Sequence, residues 1–430
     1  MHALQLFLLV AATSIGFAQT KYDLLLQGGH VVDAKNKINA IRDVAILDGK
    51  IAEVAARIDP ARANKVVNVK GLYVTPGLID IHVHFYAGTG EPRSYAGDLS
   101  LYPDGFTFRN GVTTVADAGC AGWRNFEDYK QRVIDRSKTR IFVFLNIVGH
   151  GMRGGKFEND QTDMAVKPAA DMALKYPNII VGFKTAHYAG PEWTPVENAV
   201  KAGTIANVPV MVDFGSNRKE RPMPELVTKK LRPGDIYTHT YSGLRDELDA
   251  TGHINPAMVE ARKRGVIFDA GHGAGSFAWR VAVPALKDKF YPDSISTDLH
   301  VGSMNGGMKD MLNVMDKFLA MGMTVDDVIA RSTWNPAREI KHEELGNLSV
   351  GATADIAVLK LEKGDFGFSD MYGARMNGTQ KLVCELTLSG GKVVYELNAI
   401  TRPDWKTLPK DYKYMGDPHW DTISAPRRIQ

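Results

Sequence analysis

The chain runs to 430 residues, 44% of them hydrophobic, enough to fill a barrel of about 250 residues and a smaller unit beside it. Lysine and arginine total 52 against 49 aspartate and glutamate, a net charge of +3 with no basic stretch interleaved with aromatics, which argues against a nucleic-acid partner. Cys120 and Cys384, the only cysteines, fall in different predicted units, so no disulfide framework is implied and Cys120 reads as a small buried hydrophobe.

Met1 to Ala18 hold an apolar run, Leu4 to Val10, then small residues ending Gly16-Phe17-Ala18. This reads as a secretory signal cleaved after Ala18, so the protein is expected to be exported, periplasmic or secreted. Only His2 and the terminal amine precede the apolar core, which leaves a short buried strand or an uncleaved anchor as competing readings. The run is too short for a stable membrane span.

From Tyr22 onward come short β-branched runs broken by Gly and Asp, and the same texture returns in Ala354–Leu361 and Leu382–Glu396. Two strand-rich ends, 22–73 and 345–400, predict one composite β-sandwich domain. Between them, over 74–344, eight apolar runs alternate with amphipathic segments of helix length. They are Gly77–His84, Val112–Gly119, Ile141–Gly149, Ile179–Ala186, Val208–Gly215, Ile236–Tyr241, Val266–His272 and Ser294–His300. Parallel βα units of this kind predict an α/β fold, a (β/α)8 TIM barrel. The tail, 401–430, is rich in Pro, Trp, Tyr and charge without a period, and reads as a segment laid over the surface or a homo-oligomer contact.

Most of the eight runs carry His, Lys or Asp at the C-terminal end, where barrel enzymes build their sites. His82 and His84, two apart on a strand, share a face and can grip one cation. Such a pair is often incidental, and its place at the end of the first barrel strand is what gives it weight. Lys184 is disfavoured as an isolated buried cation; burial lowers its pKa, and the neutral amine can take up carbon dioxide. The resulting carbamate suits a bridge between two divalent cations roughly 3.5–4 Å apart. A salt-bridged or snorkelling lysine is the alternative. His239 and Asp298 complete a nitrogen and oxygen donor set that fits zinc first, with manganese, iron or cobalt as alternatives. Asp298 is the candidate catalytic residue, a metal ligand that also accepts a proton from water.

Pro76-Gly-Leu-Ile-Asp-Ile-His-Val-His, Lys184, Asp269-Ala-Gly-His-Gly-Ala-Gly-Ser-Phe and Ser296-Thr-Asp-Leu-His together resemble the amidohydrolase superfamily. Within it the chain is similar to the amidohydrolase/deacetylase metallohydrolases, akin to dihydroorotases, from Tyr22 to about Leu397. The resemblance implies that His82, His84 and Asp298 bind the more buried metal, Lys184 bridges as its carbamate, and His239 binds the more exposed metal. There is one departure. The fifth strand of this branch usually ends in a histidine ligand, and here Asp213 stands in its place. Asp213 can serve as a shorter substitute ligand, against a carboxylate behind the ligands or a site with one metal. An added anion there weakens the Lewis acidity of the second metal. His187 would compensate only if its strand ended early, because its parity points it to the other face.

The Gly-rich turn at His272 and Gly273, with Ser276, is assigned by the same resemblance to substrate recognition, with His272 polarising a carbonyl or holding the substrate's acid group, against a turn needed only for the backbone. His150 is a further candidate for the pocket wall, as is His300. The 149–155 and 85–101 segments are long enough to be lids. The expected reaction is hydrolysis of an amide, cyclic amide or acyl ester of a small carboxylic acid by metal-activated water. The alternatives are a catalytically silent binding module and a one-metal deaminase, which would not need Lys184.

Overall fold

The computed structural model describes residues 21–215 and 218–412, so the leader read at Met1–Ala18 and the tail beyond Tyr412 lie outside the described residues. Both chain ends build one sheet. The N-terminal side supplies β1 (Tyr22–Asp33), β2 (Ile38–Leu47), β3 (Lys50–Ala55), β4 (Ala63–Asn68) and β5 (Tyr73–Pro76). A second sheet follows, made of β6 (Leu78–Val83), β7 (Val112–Gly122), β8 (Arg140–Asn146), β9 (Ile180–Thr185), β10 (Val210–Val212), β11 (Ile236–Tyr237) and β12 (Ile267–Phe268). The chain then returns to the first sheet with β13 (Ile356–Ser369), β14 (Arg375–Ser389) and β15 (Lys392–Glu396).

The second sheet is parallel throughout and runs in chain order from β6 to β12. Its strands are almost wholly buried, as expected of a parallel sheet covered on both faces. It is curled, and the segment 294–300 reaches both edges: Asp269 bridges Ser294 beside β12, and Val83 in β6 bridges Leu299. Helices cover it. Thr194–Ala206 carries Pro195 in its first turn and stops at Asn207 in the left-handed region, and Met311–Ala320 is capped by the Asp310 carboxylate on Asn313 N–H.

Except for β7, which runs three residues past its predicted end at Gly119, the predicted runs were longer than the strands. The fifth, sixth and seventh shrink to two or three residues, and Ser294–His300 pairs only through isolated bridges. The cause lies in the backbone. His187, His239, Gly271, Gly273 and Asp298 have φ of 56°, 63°, 47°, 56° and 54°, and a left-handed residue ends a ladder.

The first sheet has the order β15-β14-β13-β5-β1-β2-β3, with β4 also on β1. Hydrogen bonding thus defines one continuous mixed sheet where the sequence suggested a sandwich. Its core is Leu24, Leu26, Val31, Val44, Val74, Ile356 and Leu386 with their neighbours. Among the described residues no helix is long and apolar enough to cross a membrane.

Candidate metal centre

Five segments deliver the donors to one end of the curled sheet. His82 lies in β6 and His84 just past it, Lys184 lies in β9, Asp213 follows β10, His239 follows β11 and Asp298 sits in 294–300. One ligand atom each from His82, His239 and Asp298 lies within 4.8 Å of the others, and all three residues are buried. Asp298 Oδ1 stands 2.8 Å from His84 Nε2 and 3.6 Å from His82 Nε2.

Each imidazole is aimed by whatever holds its other nitrogen. Burial would push the Asp269 carboxyl up, but His82, Thr238 and Ser296 hold it below its ordinary value, as an anion. An anion only accepts, so Thr238 Oγ1–H donates to Asp269 at 2.7 Å, and Thr238 accepts from His82 Nδ1–H at 2.9 Å. The His82 lone pair is therefore on Nε2. A carbonyl also only accepts, so Gly271 O, 2.5 Å from His239 Nδ1, fixes the same tautomer there. Cys120 Sγ lies 3.1 Å from His84 Nδ1, leaving Nε2 toward Asp298. Burial, reinforced by Lys184, lowers His82 to about 3, so its ring is neutral. Burial works against Asp298 as an anion, yet His82, His84 and His300 hold its carboxyl well below the ordinary range.

Lys184 is fully buried, and burial lowers its pKa against the opposing pull of Asp213, Asp298 and Asp269. Its Nζ is 3.0 Å from His82 Nε2 and 3.7 Å from Met211 Sδ. Gly119, at φ +91°, makes room for the stem: a Cβ there would fall 2.6 Å from Lys184 Cγ. Gly273 does the same for the carboxylate, since its Cβ would fall 2.2 Å from Asp298 Oδ2.

This donor set fits a divalent cation. Buried imidazoles with pre-aimed Nε2 atoms, carboxylate oxygens and an amine held low are the ligand chemistry of zinc and its first-row neighbours. His82, His239 and Asp298 would hold an ion, with His84, Lys184 and Asp213 gathered beside them. Above them opens a cavity of about 240 Å³, lined among others by His187, His300, Tyr95, Arg245 and Ser276.

The profile of the Amidohydrolase family matches residues 278–394. A deacetylase of Agrobacterium fabrum is 33% identical over 336 residues, spanning 76% of this chain and 80% of that protein. A deacetylase of Enterococcus faecalis is 28% identical over 380 residues, 86% of this chain and 99% of the relative. Among solved structures, an adenine deaminase superposes with TM-score 0.79 at 28% identity, covering 88% of this chain and 100% of its own. A dihydroorotase does so at 0.74 and 30%, covering 86% and 98%. The chain belongs to the amidohydrolase superfamily.

This amidohydrolase is a metallohydrolase, and its sheet is the curled parallel sheet of that superfamily's barrels. The fold brings together His82, His84, Lys184, Asp213, His239 and Asp298. Asp213 does not stand alone: its Oδ1 accepts from Arg245 Nη2 at 3.0 Å and from Gly215 N–H at 3.2 Å. Arg245 is buried and lies near the rings of Phe214 and Tyr237. The guanidinium cancels the carboxylate's charge, so the pair presents the net charge of the neutral histidine expected there.

His187 also enters the site. β9 ends at Thr185, and φ +56° turns the His187 ring into the cavity, so its strand parity no longer applies. His272, by contrast, does not reach the cavity. Its ring is buried, stacked on Phe277, with Nε2 2.6 Å from Lys317 Nζ and Nδ1 3.0 Å from Gly273 O. The cavity wall of that turn is Ala274, Gly275 and Ser276, with Gly273 behind Asp298. His150 packs its ring on Phe157 and is not in the wall either. His300 is. Its Nδ1 accepts Gly302 N–H at 3.1 Å, which leaves an Nε2–H donor, and burial lowers it to about 4 so that it stays neutral.

Sequence reasoning missed the supports: Thr238 and Asp269 behind His82, Cys120 behind His84, and Arg245 behind Asp213. Asp269 carried a signal, lying next to the Gly-rich turn at the end of a predicted strand. Arg245, in a polar loop, carried none. The two lid-length segments clasp each other, with Ser94 Oγ–H and Ala96 N–H both donating to Met152 O, at 2.9 and 3.1 Å, and Arg153 paired with Glu91. They hold the Tyr95 ring over His84, His187 and His300.

Proposed function

We propose that this amidohydrolase hydrolyses an amide, cyclic amide or acyl ester of a small carboxylic acid, an open-chain substrate losing a small acyl group as it would to a deacetylase. The observation that carries the reading is the set of pre-aimed Nε2 atoms beside Asp298, in a chain aligned over most of its length with deacetylases. We read two divalent cations, zinc first, with manganese, iron or cobalt as alternatives, and Lys184 carrying carbon dioxide as a carbamate between them. Such ions lower the pKa of a bound water toward 7 and polarise a carbonyl. The curled sheet and 294–300 are read as a (β/α)8 barrel, and the leader as carrying the protein to the periplasm or medium.

The chain's own residues do the rest. Asp298, anionic at working pH, accepts the proton of the attacking water and returns it to the leaving nitrogen or oxygen. His300 donates Nε2–H into the cavity toward a substrate oxygen. Ser276 and its neighbours face the same space, where a substrate carboxylate would lie. Tyr95 covers the site and limits it to small substrates.

The test is a panel of N-acyl amino acids and acyl hydroxy acids assayed with zinc, manganese, cobalt and iron. Release of the free acid with at least one metal supports the reading, and Asp298→Asn should then lower turnover by roughly 10²-fold or more. Inertness with every ion would leave a silent binding module. Ammonia from an aminopurine would mark a deaminase, the activity named for the structural relative at TM-score 0.79.

A further inference from the structure

We propose that His187 supplies the ligand that β10 does not, so that His187, Asp213 and His239 hold the outer of the two cations. The inference rests on the metal-dependent reading above and adds to it a donor from the loop after β9.

The geometry centres on a single oxygen. Asp213 Oδ1 is taken by Arg245 and Gly215, which leaves Oδ2 for the cavity. His239 Nε2 lies 3.3 Å from Oδ2 and His187 Nε2 lies 3.5 Å from it. Both separations are longer than a good N–H···O bond. Each matches one edge of a ligand polyhedron, since donors about 2.0–2.1 Å from zinc at tetrahedral angles stand about 3.3 Å apart. His187, Asp213 and His239 are not all within 4.8 Å of one another as His82, His239 and Asp298 are, so binding must draw the His187 and His239 rings together over Oδ2.

His187 is also built like a ligand. Its Nδ1 faces Glu158 Oε2 at 2.8 Å, and Glu158 is buried, with Oε1 accepting Gly154 N–H at 3.0 Å. A buried carboxylate on one ring nitrogen with the other aimed into the cavity is the usual support of a metal-bound histidine. The loop is pinned just after its turn: Ala189 N–H donates to Asn159 Oδ1 at 2.7 Å, and Arg221 Nη2–H donates to Tyr188 O at 2.9 Å. His187 holds φ +56°, a left-handed conformation that side chains rarely adopt, and that turn is what points the ring at Asp213. His239 and Asp298 share the conformation and the destination.

The experiment counts metal. Wild type, His187→Ala and His187→Gln are loaded with cobalt(II) or zinc, dialysed, and read by metal mass spectrometry and by the cobalt visible spectrum, with circular dichroism as the fold check. Wild type should hold two ions per chain, and both variants should hold one, with half of the cobalt bands lost. Glu158→Gln, a change in a positioning residue, should keep both ions but weaken the outer one by roughly 10–100-fold and shift its cobalt band. Two ions with an unchanged spectrum in both His187 variants would overturn the inference and leave the metal-dependent reading intact. One ion in wild type, unaffected by His187 but lost in His82→Ala, would overturn it too. No ion in folded wild type would remove the metal-dependent reading itself.

Discussion

At the scale of single residues, the site depends on side chains that are absent as much as on those present. Gly273 is required twice, by φ +56° and by the 2.2 Å that would separate its Cβ from Asp298 Oδ2. Gly273→Ala should therefore push Asp298 off its imidazoles and lower kcat by at least about tenfold, while thermal melting falls by only a few degrees. Gly105→Ala, outside the cavity and with nothing within 4 Å of its added methyl, is the control, and equal losses in the two would refute the steric account. His82, His84, Lys184, His239 and Asp298 were legible because strand ends and residue type suffice to suggest a donor. His187 was not, because parity holds only while a strand lasts, and one left-handed residue reverses it. His272 was misplaced for another reason. Its partner, Lys317, comes from a helix 45 residues on, and no local pattern announces a pairing between them.

At the scale of elements, the helix Met311–Ala320 joins the two sheets. Lys317 reaches the turn at His272, while the preceding Asp316 accepts Leu382 N–H from β14 at 2.8 Å. Burial raises the Asp316 carboxyl from 3.8 to about 8, so the folded protein keeps a proton that the unfolded chain releases. That contribution to stability is fully present below about 3.8 and is lost as pH rises through about 8. Asp316→Asn keeps an acceptor for Leu382 and cannot titrate. The urea midpoint of wild type should fall relative to the variant between pH 5 and pH 8.5, by on the order of a few kcal/mol in unfolding free energy. Parallel profiles would show that Asp316 is not held protonated. The elements themselves were read with fair success: the first seven apolar runs gave the strands of the second sheet, β7 longer than expected and the others shorter, while the eighth pairs only through isolated bridges. Propensity does not register the positive φ that cuts them short.

At the scale of the molecule, the two sheets meet through Asp355. Its carboxylate accepts from Arg140 of β8 at 2.5 Å and from Gly390 N–H at 2.8 Å, and its carbonyl accepts Gly77 N–H at 2.8 Å, just before β6. Asp355→Ala leaves the guanidinium with Thr114 as its side-chain acceptor and strands the Gly390 amide, and should cost roughly 1–3 kcal/mol by chemical denaturation while leaving the metal content unchanged. A change in metal content would mean that this junction shapes the site from a distance. The sequence showed that both chain ends belong to one unit, because the same alternating texture returns after residue 354. It did not show the pairing, which places β13 directly beside β5. That arrangement sets the order of synthesis against the order of burial. A nascent chain keeps β5 as an open edge until residues 356–359 emerge, some 280 peptide bonds later, so β1 to β5 must wait for the whole of the second sheet to be made before their own sheet can close.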